Sequence, residues 1–111
     1  MARNYVQPGQ TLTVTAPRTV GSGAGLLIGA IFGVALADAA SGTPVEIRRV
    51  EVWDLTKTTG EAWTAGQKLY WDNTNFRVTS TAGSNTLIGA ATQAQASADT
   101  VGRVLLSGQI T

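Results

Sequence analysis

Ala24 to Ala37 reads AGLLIGAIFGVALA, and the placement of this run decides the fold. A membrane span, a secretory signal and a pair of buried strands are the three candidates. The run is too short to cross the ~30 Å hydrocarbon core of a bilayer, and Gly25, Gly29 and Gly33 interrupt it. A secretory signal opens with a short basic region, whereas 23 residues precede this run, among them a Thr/Val alternation and Pro17 that read as mature structure. Two buried strands remain, Leu26–Ile28 and Ile31–Leu36, about a tight turn at Gly29-Ala30.

Strands are the expectation on both sides of that hairpin. Thr11-Leu12-Thr13-Val14-Thr15 alternates polar and apolar residues at period two, the pattern of a half-buried strand. Residues 1–10 carry no regular period and read as an N-terminal arm, turned into the first strand at Pro8-Gly9, with a single β domain over 11–111. Pro44 belongs at a strand start or edge, because it has no N–H for a ladder. Val45 and Ile47 alternate in one phase, and Val50 and Val52 in the other. That shift at Arg48-Arg49 predicts a β-bulge inside one bent strand from about Val45 to Trp53. Glu61-Ala62-Trp63 reads as a single helical turn. Gln67–Trp71 and Phe76–Ser80 form a hairpin about Asp72-Asn73-Thr74-Asn75, where Asx side chains hold the turn. Leu87–Ala91 and Gly102–Ser107 complete the strands. Leu27-Ile28-Gly29-Ala30 recurs as Leu87-Ile88-Gly89-Ala90, either as common hairpin grammar or as two similar hairpins.

Composition narrows the chemistry. At ~100–200 residues per domain, 111 residues make one domain. No Cys means no disulfide framework and no thiol nucleophile, and no His removes the commonest general base and metal ligand. Charged residues are 14% of the chain, against about 25% in an ordinary soluble domain. The eight basic and seven acidic residues are scattered, leaving no footprint for nucleic acid. Low charge with much Ala, Gly and Thr fits a surface covered by another protein, and equally a small β-protein with polar, uncharged loops.

The sequence carries no recognisable catalytic motif. Gly60 to Lys68 (GEAWTAGQK) has the wrong spacing for a phosphate-binding loop and places Gln67 where the lysine belongs. Glu46, Glu51 and Asp54 stand beside Arg48 and Arg49, which points to ion pairs and not to a hydrolytic dyad. Asp38, Asp72 and Asp99 sit in turn sequence. No cofactor, metal or small-molecule substrate is expected.

Binding is the remaining chemistry. Trp53, Trp63 and Trp71 cluster in the middle of the chain and are candidates for a subunit interface, or for rings lying under their own loops. In the arm, Ala2, Arg3, Asn4, Tyr5, Val6, Gln7 and Pro8 are candidates for adding an extended segment to a partner's sheet edge, with Tyr5 and Val6 filling pockets. The bland reading of the arm is a frayed terminus. Arg3 and Arg18 are candidates for rim pairing with an acidic partner surface.

The ordered series MARNYVQPGQTLTVTAP, LLIGAIFGVALADAASGTPVEI, GEAWTAGQKLYWDNTNFRVTS, LIGAA and GRVLLSG resembles the small head-decoration, or capsid cement, family of tailed phages and prophages. The resemblance covers essentially the whole chain; Gly33 to Leu36 and Val45 to Ile47 match its Gly-Val-Ala-Leu element and following strand, and the paired Arg48-Arg49 departs from it. It implies a compact all-β domain, barrel-like or tulip-like, with an extended N-terminal arm. It also implies a homotrimer that binds the major capsid protein on the outside of the expanded head and stabilises it, after synthesis in the bacterial host cytoplasm. No catalytic residue, cofactor, nucleic acid or membrane comes with it. The alternative is a β-module for host recognition on the virion or cell surface, associated with a fibre.

Overall fold

A computed structural model describes Asn4, residues 6–108 and Ile110. Among the described residues there is no helix, and the strands are β1 (Thr11–Thr15), β2 (Gly25–Ile28), β3 (Ile31–Ala35), β4 (Pro44–Arg48), β5 (Val50–Thr56), β6 (Lys68–Asp72), β7 (Arg77–Thr79), β8 (Thr86–Ala91) and β9 (Val101–Ser107). They form two antiparallel sheets, a four-stranded one in the order β1-β4-β3-β2 and a five-stranded one in the order β5-β9-β8-β6-β7. The expected all-β class holds. The barrel, however, is realised only as a half-barrel in the five-stranded sheet.

The β2–β3 hairpin explains why Ala24–Ala37 is apolar almost throughout. Successive strand residues face opposite sides, and both sides of this hairpin are covered. Leu27, Phe32 and Val34 pack into the core of the five-stranded sheet with Leu69, Trp71 and Val104. Leu26, Ala35, Ile28 and Ile31 face a second core with Val45, Ile47 and the loop residues Ala16 and Val20. The turn between the strands puts Gly29 at φ 58°, a left-handed conformation that glycine adopts without Cβ strain. At Gly25 the requirement is space, since a Cβ there would lie 2.8 Å from the Trp71 ring. Phe32 and Trp71 meet with ring centres 4.9 Å apart and planes tilted by 51°.

The half-barrel is drawn together at one end. Lys57, just past β5, forms a parallel bridge to Val78 of β7, and Thr58 N donates to the Val78 carbonyl at 2.9 Å. Lys57 is 2% exposed. Its ammonium donates to the Thr58 carbonyl at 3.0 Å and lies 5.4 Å from the centre of the Trp63 ring, contacts that offset part of its desolvation.

Three sequence expectations are corrected. The bent strand from Val45 to Trp53 is two strands in different sheets. Arg49 still donates its N–H to the Gln10 carbonyl at 2.8 Å beside β4, whereas Val50 already faces Ser107 of β9. The change of phase therefore marks a transfer between cores. Glu61-Ala62-Trp63 is not a helical turn: Trp63 and Gln95 exchange backbone bonds of 2.9 and 3.1 Å, and the Glu61 carboxylate accepts from Thr79 Oγ1 at 2.6 Å and Ser80 N at 2.9 Å. The repeated Leu-Ile-Gly-Ala serves two different structures. Gly29 turns a hairpin, whereas Gly89 lies inside β8 against the Leu105 carbonyl, where no Cβ fits. Other expectations hold, including Pro44 as the first residue of β4 and the Asx turn at Asp72, which accepts from Thr74 N at 2.9 Å.

Two measurements test this packing. Gly102 faces the Trp63 ring with no room for a Cβ, so Gly102→Ala should lower the unfolding free energy by about 1–3 kcal/mol in urea titrations, whereas Gly21→Ala, whose Cβ would meet only Asp38 Oδ1 at 3.8 Å, an ordinary contact, should change it little. Burial of the Glu61 carboxyl favours its neutral form, but hydrogen bonds from Thr79, Ser80 and Trp63 outweigh that and hold its pKa below the ordinary 4.5. Its contribution is complete above that value and fades as pH falls through the lower folded value. Glu61→Gln should therefore cost stability at pH 7 and flatten the acid limb of a stability–pH curve.

Candidate docking surface

Both ends of the described chain meet where it passes from one sheet to the other. Arg49 sits at that passage, and its guanidinium donates to the Gly9 carbonyl at 2.7 Å and to the Gly108 carbonyl at 2.6 Å. Planar, forked donors suit a residue that must hold two acceptors at once. Arg48 donates from Nε to Glu51 Oε1 at 2.7 Å and from Nη1 to Thr11 Oγ1 at 2.9 Å. Glu51 has φ 85°, a costly conformation for a residue with a Cβ, and it kinks the start of β5. These groups and the N-terminal segment surround an open cleft of about 560 Å³, lined by Gln7, Pro8, Thr11, Arg48 and Glu51 among others.

The N-terminal candidates divide at this cleft. Ala2, Arg3 and Tyr5 lie outside the described residues. Asn4, Val6, Gln7 and Pro8 are all exposed, Val6 at 86%. Gln7 Nε2 reaches the Thr11 carbonyl at 3.4 Å, a long contact. The segment is thus tethered at Gly9 and Gln10, and the described side chains before that point, those of Asn4, Val6, Gln7 and Pro8, face solvent.

The three tryptophans occupy different places. Trp63 and Trp71 are each 2% exposed inside the chain's own core. Trp53 is half-buried, and its indole N–H donates to the Val50 carbonyl at 2.9 Å. Arg18 is engaged within the chain, donating to the Gly25 carbonyl at 2.7 Å and stacking 3.9 Å above the Phe76 ring.

A second exposed feature lies on the outer face of β5 and β9. Val52 stands opposite Leu105, and Asp54 opposite Arg103. Val52, Val101 and Leu105 are 50%, 49% and 47% exposed, an apolar stripe beside the Asp54–Arg103 ion pair at 2.9 Å. Sequence reasoning missed this stripe, although Val104-Leu105-Leu106 carried its signal: three consecutive apolar residues in a strand must turn at least one outward. It also missed Arg49, since two adjacent arginines at a phase change look like ordinary surface charge.

Elsewhere the carboxylates hold structure. The hydrogen bond from Arg103 keeps the Asp54 carboxyl below its usual range. Asp72 accepts from its turn, and Asp99 accepts from Ala96 N at 2.9 Å. Among the described residues no group of three or more His, Cys, Asp or Glu is placed to hold a metal ion. The arrangement offers surfaces for binding.

A family model described as phage cement protein matches residues 6–106, and the chain belongs to that family. No curated protein and no solved structure matches it. Membership makes it a structural, capsid-associated component of the virion.

Arg49→Met removes both carbonyl contacts and keeps the aliphatic stem. It should lower stability by about 1–3 kcal/mol in thermal or urea unfolding. Amide exchange in residues 6–10 should also quicken relative to the interior of β9, as read by hydrogen-exchange mass spectrometry.

Proposed function

We propose that this protein decorates the outside of the expanded phage head, bound to the major capsid protein, and holds the shell against the pressure of packaged DNA. The observation that carries this reading is the family match over residues 6–106. Its mechanism is attachment without turnover. The N-terminal segment, exposed from Pro8 back to Val6, adds to a capsid subunit as an extended strand, with backbone hydrogen bonds for affinity and Tyr5 and Val6 as anchors. The protein acts as a homotrimer, so three such segments bind together and modest single contacts become durable through effective concentration. The subunit contact lies at Trp53 and the neighbouring Val52–Leu105 stripe; the rings of Trp63 and Trp71, being interior, support it from within. The protein is made in the bacterial cytoplasm, and the reading involves no cofactor, nucleic acid, membrane or small-molecule substrate.

Deletion of residues 2–8 tests it, because Gly9 and Gln10, which Arg49 engages, stay in place. The full chain should co-sediment with bare expanded heads, and the truncated chain should lose at least tenfold in affinity while keeping its melting temperature. Equal binding by both chains would overturn the arm mechanism. Failure of the full chain to bind heads, with binding to host cells or glycans instead, would overturn the decoration reading in favour of host recognition.

A further inference from the structure

The sheet edges of this protein are unequally protected. A free edge presents unpaired N–H and C=O groups to any other strand, and native proteins usually blunt it with charge, proline, bulges or cover. On β2 the Arg18 guanidinium caps the Gly25 carbonyl at 2.7 Å. The three-residue β7 is bridged by Lys57 and Thr58. The edge of β5 carries the left-handed Glu51, the exposed Asp54, and a Val50 carbonyl taken by the Trp53 indole. Among the described edges β1 and β2 alone have neither charge nor proline nor a bulge within them, and of the two it is β2 that carries an arginine on a backbone carbonyl, which leaves β1 the less protected.

The register says which groups of β1 are open. Ala16 N donates to the Thr43 carbonyl at 2.8 Å, and Arg49 N donates to the Gln10 carbonyl at 2.8 Å. Bonded pairs alternate along an antiparallel ladder, so the even-numbered residues from 10 to 16 bond β4. The N–H and C=O groups of Thr11, Thr13 and Thr15 point away from it. Of these, the Thr11 carbonyl receives the 3.4 Å contact from Gln7 Nε2. The strand reads Thr-Leu-Thr-Val-Thr and is close to palindromic about Thr13.

We propose that the free edge of β1 pairs antiparallel with the same edge of a second copy of this chain, about a two-fold axis at Thr13. In that register Thr13 faces Thr13 of the second copy and Thr11 faces its Thr15. Every open donor then meets an acceptor, making about six backbone bonds, and the long Gln7 contact gives way. The threonines line one face as cross-strand pairs. On the other face Leu12 and Val14, both half-buried at the rim of the smaller core, lie opposite each other across the axis, so each covers the exposed side of its mate. A strand-for-strand contact of uncharged residues fits a copy of itself better than an acidic or basic partner. Two four-stranded sheets become one of eight. This contact uses a different sheet from the β5–β9 stripe and stands whether or not the chain also forms a trimer.

The absence of Cys in the chain makes the test direct. In the bonded pair the two Thr13 Cα atoms would lie about 5.5 Å apart, inside the range a disulfide bridges. Two Thr15 Cα atoms, four residues out of register, would be roughly 13 Å apart. Under mild oxidation Thr13→Cys should give a covalent pair of chains at least tenfold faster than Thr15→Cys, read on non-reducing gels with circular dichroism confirming the fold. Thr13→Pro supplies a second measurement, since it removes only an outward N–H. It should halve the mass reached by the unmodified protein in concentration-dependent sedimentation, from dimer to monomer or from hexamer to trimer. Equal crosslinking at positions 13 and 15, or equal masses for Thr13→Pro and the unmodified chain, would overturn the proposal.

Discussion

A hairpin that is apolar on both faces must be covered twice, and that constraint organises the whole molecule. Leu27, Phe32 and Val34 of β2–β3 require one core, and Leu26, Ile28 and Ala35 require another. One sheet cannot supply both, because a sheet has only two faces and the hairpin already belongs to it. The four-stranded sheet therefore takes one cover from its own loops, at Ala16 and Val20, and the other from the half-barrel. The half-barrel in turn needs a large filler at its mouth, and Trp71 against Phe32 provides it. Gly25 is small for the same reason.

Placing the β2–β3 hairpin between the two cores also requires the chain to cross between sheets, and it does so in one residue. Arg49 still bonds Gln10, just ahead of β1, while Val50 begins pairing with β9. A passage that short leaves carbonyls of the flanking segments near one another with few donors of their own. The guanidinium of Arg49 answers that shortage, serving Gly9 and Gly108 together. The left-handed Glu51 two residues later is the local cost of turning so sharply, offset by its bond to Arg48.

Much of this was legible in the residues. Period-two alternation marked β1, paired apolar runs about Gly29 marked β2–β3, and Asp72 with Asn75 marked the β6–β7 turn. These signals are local, so they survive without knowledge of the partner strands. The Arg48-Arg49 phase change was visible but ambiguous, since a bulge and a change of sheet both reverse the alternation. Only the identity of the next partner, Thr11 for Arg48 and Ser107 for Val50, separates them. The fate of each tryptophan was equally closed to sequence, because Trp63 is buried by Gly102 and Lys57, distant in the chain or charged in type. The docking candidates at residues 2–8 were readable only as an absence of period, and the outer stripe of β9 emerged once its inward residues were known.

The double grip of Arg49 has a topological corollary. Carbonyls 9 and 108 lie on the two arms of a single guanidinium, so the backbone all but closes into a ring there. A short linker could join those points and new ends be opened at the Asp72–Asn75 turn without crossing either core. By the same closeness, a peptide grafted ahead of residue 9 or beyond residue 108 emerges from one spot, and cargo displayed from either side would share a single exit.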